Sequence, residues 1–404
     1  MKIAHIIPGF IPEQVGGAEV SVHNLATTQV NLGHDVYVLT YFKDKKSYSE
    51  VYRKVNYKLL RLKRFPQYYR IYAIHKFYDI YQFFRYIRKY HFDVCHFTMG
   101  FPYALHLVDV SRRMKIPSIL RCVGEDIQIN KDVNYGYRQN EKINRAVLRK
   151  YKMFDALIAA SASVKNEYLK IGIPEQKIFS IPNGVYTNRF REKDKYPKSA
   201  IMQYFNLSYD TRIILTVGRN HPKKGLTLIP KVIEYLSQIT RNFVWIIIGK
   251  RVKELEKVYP THIKKYVLFL DETPEIFLAK TELCFPDNNL IGFYINADIF
   301  VLPSIVESFG IVLIEAMSAG KPVVVWDVDG CKDLIQDGIN GFKISLYKYR
   351  EMAEKIALLL KDKYLYSTIS CNALKWVEQN GVDWGIIAER YVNLYNALLH
   401  QKSG

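Results

Sequence analysis

Short apolar runs alternate along this chain with longer stretches whose apolar positions step by three and four. The runs predict strands near 2–7, 36–40, 92–97, 119–122, 156–160 and 178–181, and again near 213–217, 243–248, 266–269, 299–302 and 323–326. The run 299–302 is apolar throughout rather than alternating, as a strand of a parallel sheet covered on both faces should be. Between the runs the 3.6-residue pattern predicts helices near 18–32, 138–151, 226–238, 311–319, 348–361, 364–379 and 385–400. Gly33 and Gly320 stand where left-handed caps end helices, and Pro322 stops the second from continuing. One polar, charged stretch, YTNRFREKDKYPKSA, interrupts the alternation and reads as a linker. A chain of 404 residues is long enough for two cores. The expectation is two α/β domains, at 1–190 and 205–380, with a final helix at 385–404.

Each domain opens on a strand, a loop and a helix, a Rossmann-like unit. The first loop, PGFIPEQVGG, ends in Gly16 and Gly17, which let a ligand approach the backbone closely. No G-x-G-x-x-G follows a strand, which argues against a dinucleotide oxidoreductase. Two first-domain strands run into polar residues, His96 and the segment Gly124-Glu125-Asp126. Ligands of open parallel sheets bind beyond the carboxyl ends of the strands, so His96 and Asp126 are expected beside a cleft.

The densest chemistry lies in ADIFVLPSIVESFGIVLIEAMSAGKPVVVW, residues 297–326. Glu307 precedes the predicted helix and Glu315 lies in it. Eight helical steps would part them by roughly 12 Å. A paired-carboxylate acid/base site works at roughly 5–9.5 Å, so the two suit opposite ends of one extended ligand. Ser308, Phe309, Gly310 and Ile311 lie between, and their N–H groups would crown a helix N-terminus, a ready anion site.

Charge adds a second surface. The chain carries +19. Residues 43–90 hold fourteen Lys/Arg against three Asp/Glu, with ten tyrosines. Residues 42–65 are expected to be irregular or hairpin-like. Residues 71–90 read as a basic amphipathic helix with an apolar face of Ile71, Ile74, Phe77, Tyr78, Tyr81, Phe84 and Ile87, suited to an anionic membrane surface. Nucleic-acid binding through stacking and charge is the weaker alternative, because the charge lies away from the predicted ligand motifs. No run of ~18 apolar residues appears. The odd count of five cysteines, without a Cys-x-x-Cys pair, is expected of buried reduced thiols in the cytoplasm.

ESFGIVLIEAMSAGKPVV resembles the glutamate–seven residues–glutamate signature of the retaining glycosyltransferases of family 4. PGFIPEQVGGAE, IPNGV, VGRNHPKKG and NADIFVLPSIVESFG are similar to that family's successive motifs, in the same order. The resemblance implies a GT-B fold: two Rossmann-like domains facing across a cleft, the final helix returning to the first. It implies a nucleotide-diphosphate sugar as co-substrate, no cofactor and no metal. Arg219 and Lys224 would clamp the diphosphate, Glu307 would face the sugar, and Ser308, Phe309, Gly310 and Ile311 would surround the donor. Glu315 would hold the ribose and Gly17 would admit the phosphate. The acceptor would be a glycan or lipid-linked sugar of cell-surface polysaccharide synthesis, at the cytoplasmic face of the plasma membrane. A sugar-nucleotide epimerase of the same fold is the enzymatic alternative. The chain departs from the family at Val123, where a histidine is usual, at Tyr186 for an aspartate, and at Asp329 for a glycine. Asp126 or His96 would then have to supply the first domain's catalytic contact.

Overall fold

The computed structural model describes residues 1–42, 45–63, 72–278 and 283–403. The chain forms two compact units, Met1–Gly184 with Trp384–Gly404, and Val185–Asp383. Among the described residues of the first unit are strands β1 (Lys2–Ile6), β2 (Asp35–Tyr41), β3 (Lys58–Leu62), β4 (Val94–Thr98), β5 (Ser118–Arg121), β6 (Ala156–Ala159) and β7 (Ile178–Ser180). They make one parallel sheet in the order β3-β2-β1-β4-β5-β6-β7. Strand order reverses between β1 and β4, which puts the unit's topological switch point there. Helices α1 (Gly17–Asn31), α2 (Lys45–Tyr52), α3 (Tyr72–Tyr90), α4 (Leu105–Arg113), α5 (Glu141–Lys150) and α6 (Ala162–Lys170) connect them.

The second unit repeats the plan with β8 (Arg212–Val217), β9 (Phe243–Ile248), β10 (Val267–Leu270), β11 (Ile299–Leu302), β12 (Val323–Trp326) and β13 (Phe342–Ile344). Their order is β10-β9-β8-β11-β12-β13, again all parallel, with the reversal between β8 and β11. Its helices are α7 (Lys198–Tyr204), α8 (Ile229–Ile239), α9 (Thr261–Lys264), α10 (Asn288–Asn296), α11 (Ile311–Ser318), α12 (Tyr349–Lys361) and α13 (Lys363–Gln379). The last helix, α14 (Trp384–Ser403), rejoins the first unit, where Tyr395 hydrogen-bonds His96 and Lys402 pairs with Asp155 at 3.0 Å.

The first sheet buries two different faces. Ala4, Ile6, Cys95, Phe97, Leu120 and Leu157 join an apolar core with Phe83 and Ile87 of α3 and Leu107 and Val108 of α4. Side chains alternate across a strand, and the residues between these are His5, His96, Thr98 and Arg121. All four are buried on the other face, and the register pairs His5 with His96 and Thr98 with Arg121.

Three regions differ from the sequence reading. Where an irregular or hairpin segment was expected, α2 leads into β3, which pairs parallel to β2. Lys58 and Arg61 disguise β3 because it is an edge strand, where charge is tolerated and guards against further pairing. The chain leaving it is held by Gln82, whose amide accepts from Lys63 N at 2.8 Å and donates to Lys63 O at 2.9 Å. The stretch read as a linker folds onto the second unit: Phe190 is buried against Tyr294, and Asn296 donates to Tyr196 O at 2.9 Å. On α3 the expected apolar face is split, with Ile87 buried in the core and Tyr78 partly covered. Phe77, Tyr81 and Phe84 are exposed, while Asp79 is buried, its carboxylate taken by Tyr41 Oη at 2.7 Å and facing His106 Nε2 at 3.5 Å. Residues 43–44 and 64–71 of that basic region, Ile71 included, lie outside the described residues.

Candidate active site

The switch point of the second unit brings two loops together beyond the carboxyl ends of β8 and β11. Residues 218–225 leave β8 and residues 303–310 leave β11. Lys223 O accepts from Ile305 N at 2.7 Å and Val306 N at 3.2 Å. Gly225 sits at φ 61°, and a side chain there would strike Pro303 O. Only glycine allows both the left-handed turn and the close approach. This stitching carries Lys224 to Glu307: Nζ and Oε2 are 2.5 Å apart, with both side chains largely enclosed. Ser308 N donates to Glu307 Oε1 at 3.1 Å. Burial pushes the Glu307 carboxyl up. The charges of Lys224 and Lys223 and the bonds from Lys224 and Ser308 N outweigh it and hold the group at about 2. Glu307 is therefore ionised at neutral pH, an acceptor and not a proton donor.

Helix α11 starts after Gly310, which is left-handed at φ 87°, so Ile311 is its first residue. The first N–H groups of any helix lack intrahelical partners, and here they open beside Lys224 and Glu307. Ser308 and Phe309 are buried. Glu315 lies about one turn further along the helix from Ile311, also buried, accepting from Tyr294 Oη at 2.7 Å. Burial raises its carboxyl to about 7, against the lowering effects of the Tyr294 bond and the Arg189 charge. Two glutamates eight residues apart thus sit in opposite electrostatic states. Arg219 is exposed on the loop after β8. Asp329 pairs with Lys332 at 2.5 Å on the loop after β12.

In the first unit the predicted residues fall differently. Gly17 opens α1 after an extended Gly16, and Ser21 Oγ donates to Gly17 O at 2.6 Å. His96 is fully buried, its Nδ1 2.7 Å from Tyr395 Oη and its ring 5.1 Å from those of His5 and Tyr391. Burial, with the neighbouring His5 and Arg121 charges, drives its pKa well down, so it is a neutral packing residue under α14. Asp126 is equally enclosed. Its carboxylate accepts from Gly100 N at 2.7 Å, Val123 N at 2.9 Å and Gly124 N at 3.1 Å. The expected catalytic contact from Asp126 or His96 is corrected on these grounds: each is committed to holding backbone or helix, and neither reaches solvent. Val123 stands half-buried in the turn that Asp126 organises.

Sequence reading missed Tyr294 and Lys223. Tyr294 lies on α10, a nine-residue helix with the sequence NNLIGFYIN, too short for its period to stand out; the Asp287 cap accepts from Leu290 N at 2.8 Å. Lys223 acts through its carbonyl and its charge on Glu307, and only the loop geometry reveals that.

Two parallel Rossmann-like units, one bearing an ionised glutamate and a lysine beside a helix N-terminus, offer a place for an anionic ligand. Residues 198–376 match the family Glycosyl transferases group 1, and residues 15–189 match Glycosyltransferase Family 4. The chain belongs to this group 1/family 4 glycosyltransferase family and has its GT-B fold. It is 30% identical over 266 residues to the capsular polysaccharide biosynthesis glycosyltransferase CapM of Staphylococcus aureus, covering 64% of this chain and 66% of CapM. It is 28% identical over 417 residues to the uncharacterized glycosyltransferase MJ1607 of Methanocaldococcus jannaschii, covering 98% of both. In fold it resembles Anabaena HepE, solved in complex with UDP-glucose, with a TM-score of 0.77 at 19% identity over 98% of this chain and 100% of HepE.

Proposed function

We propose that this glycosyltransferase moves a sugar, with retention and without a metal, from a nucleotide-diphosphate sugar to a glycan or lipid-linked acceptor of cell-surface polysaccharide synthesis. The observation that carries the reading is the Lys224–Glu307 pair beside the start of α11. The acceptor oxygen bonds to the anomeric carbon as that carbon's bond to the diphosphate breaks, and a donor phosphate oxygen takes the acceptor's proton. Negative charge grows on the leaving diphosphate. Lys224, Arg219 and the α11 N–H groups are the chain's means of stabilising it. Glu307, ionised, accepts from a sugar hydroxyl and fixes the ring. Glu315, raised to about 7, is poised to hydrogen-bond the ribose.

The same reading places the enzyme peripherally on an anionic membrane at the cytoplasmic face. Its support is α3, where Phe77, Tyr81 and Phe84 form an exposed stripe with Arg85, Arg88 and Lys89 exposed alongside. No helix among the described residues is long and apolar enough to cross a membrane. Sedimentation with phosphatidylglycerol vesicles against phosphatidylcholine vesicles tests this part; equal binding to both rules it out.

For the chemistry, a panel of nucleotide sugars is screened by thermal shift. A cognate donor at 100 times its dissociation constant should stabilise by about 2.7 kcal/mol. Glu307→Gln should then lower transfer by about 10²–10³-fold. Arg219→Ala should weaken donor binding about tenfold while leaving the free protein's melting temperature unchanged. Wild-type transfer rates in Glu307→Gln would sink the reading.

A further inference from the structure

The turn after β4 occupies the same topological place in the first unit as the Glu307 loop does in the second. Each leaves the carboxyl end of a strand beside the switch point, where open parallel sheets bind ligands. The backbone there is unusual. Met99 is left-handed at φ 74°, a conformation a methionine holds only when its surroundings impose it. Gly100–Ala104 follows directly, kinked at Phe101, whose backbone is extended at φ −108° and ψ 141°.

The surroundings are visible. Asp126 Oδ2 takes Gly100 N, and its Oδ1 takes Val123 N and Gly124 N, so one buried carboxylate ties the turn after β4 to the turn after β5. Tyr151 Oη donates to Asp126 O at 2.9 Å and lies against Gly100, leaving no room for a side chain there. Tyr137 N donates to Glu125 O at 2.8 Å, which fixes the next segment. This framework carries two half-exposed rings, Phe101 and Tyr137, with centroids 5.0 Å apart and planes tilted by 50°. The rigid groups are inside, and the two rings stand partly covered at the edge of that frame, Phe101 packed against the core on one side.

We propose that Phe101 and Tyr137 form a stacking subsite for a pyranose ring of the acceptor, and that Asp126 is its positioning residue. The chemistry fits a sugar. A pyranose has one face of C–H groups that covers an aromatic ring, while its hydroxyls stay in water or meet nearby polar groups. The donor site of the second unit offers charge; this one offers apolar area on a fixed frame. The assignment rests on the glycosyltransferase reading for the word acceptor, but not for the binding of sugar.

Saturation-transfer difference spectra test it. The probes are methyl α-D-glucopyranoside, methyl α-D-galactopyranoside and N-acetyl-D-glucosamine, with the full chain. Wild type should transfer saturation to the ring protons of at least one probe, and an excess of UDP should leave the signal in place. Phe101→Ala and Tyr137→Ala should each cut the signal at least fivefold, while Phe101→Trp and Tyr137→Phe keep it. The conservative pair guards against misfolding, since both retain a ring. Loss of signal on adding UDP, full signal in either alanine variant, or silence from all three probes with wild type overturns the proposal. A nucleotide-sugar panel run on the same protein reads the donor reading separately: no thermal shift there, with saturation intact, would sink the donor site alone.

Discussion

At the switch point of the second unit, Lys224 and Glu307 meet as charged groups at the mouth of a helix. At the corresponding place in the first unit, His96 and Asp126 are sealed from solvent, and what stands outside is a pair of aromatic rings. The two sheets share topology and parallel pairing, so topology did not make this difference. It follows from which residues the strand-end loops present. In the second unit the loops after β8 and β11 are sewn together through Lys223 O, and the crossing forces a cation against a carboxylate. In the first, Asp126 spends its charge on three backbone N–H groups, and α14 closes over the other face of the sheet. A titratable residue at a strand end is thus a candidate for chemistry only if its neighbours leave it something to do.

Substitutions can break this contrast. The largest effect is expected from Lys224→Met. It strands an ionised Glu307 in an enclosed site and should cost about 3 kcal/mol in urea unfolding at pH 7. Adding Glu307→Gln should restore most of that loss, because the unpaired charge goes with it; a double variant as unstable as the single would mean the pair is not what holds the loops.

Glu315→Gln comes next and reads through pH. The carboxyl is raised from 4.5 to about 7 in the folded chain, by burial first. The folded state therefore binds the proton more tightly, so its contribution is full below pH 4.5 and is lost as pH rises through about 7. The lost part is on the order of 3 kcal/mol. Guanidinium unfolding at pH 5, 6, 7 and 8 should show wild type falling relative to the variant as pH rises to about 7 and levelling off above it, because the glutamine does not titrate; a constant difference would mean Glu315 is ionised throughout.

Tyr395→Phe should have the smallest effect. It removes the hydrogen bond to His96 and should cost about 1 kcal/mol, with nucleotide-sugar affinity unchanged. A severalfold change in donor affinity would show that the sealed layer under α14 does reach the chemistry, and the contrast between the units would fail.

Much was legible beforehand. The β8, β9, β11 and β12 runs are apolar because both faces of their sheet are covered, and that needs no tertiary knowledge. The helical pattern from Ile311 and the Gly320 and Pro322 punctuation announced α11 with its ends nearly in place. The lost elements are β3, an edge strand that does not divide cleanly into an inner and an outer face, and α10, whose nine residues are too short for its period to stand out. On α3 the departure is Asp79, which went inside because Tyr41 and His106 offered partners that local sequence does not display, while Phe77, Tyr81 and Phe84 of the face read as suited to a membrane surface stand exposed.

What the sequence determined by itself is the alternation of buried strand and covering helix, the division into two such units, and the glutamate motif at a helix start. Those depend on solvent exclusion and backbone geometry within one or two turns. Only the tertiary structure decided the state of each charge. Glu307 is held at about 2 and Glu315 raised to about 7, although both are buried glutamates eight residues apart. A carboxylate's pKa is set by what lies within a few ångströms, and for Glu307 that is a lysine eighty-three residues away in the chain, brought there by two hydrogen bonds to a carbonyl.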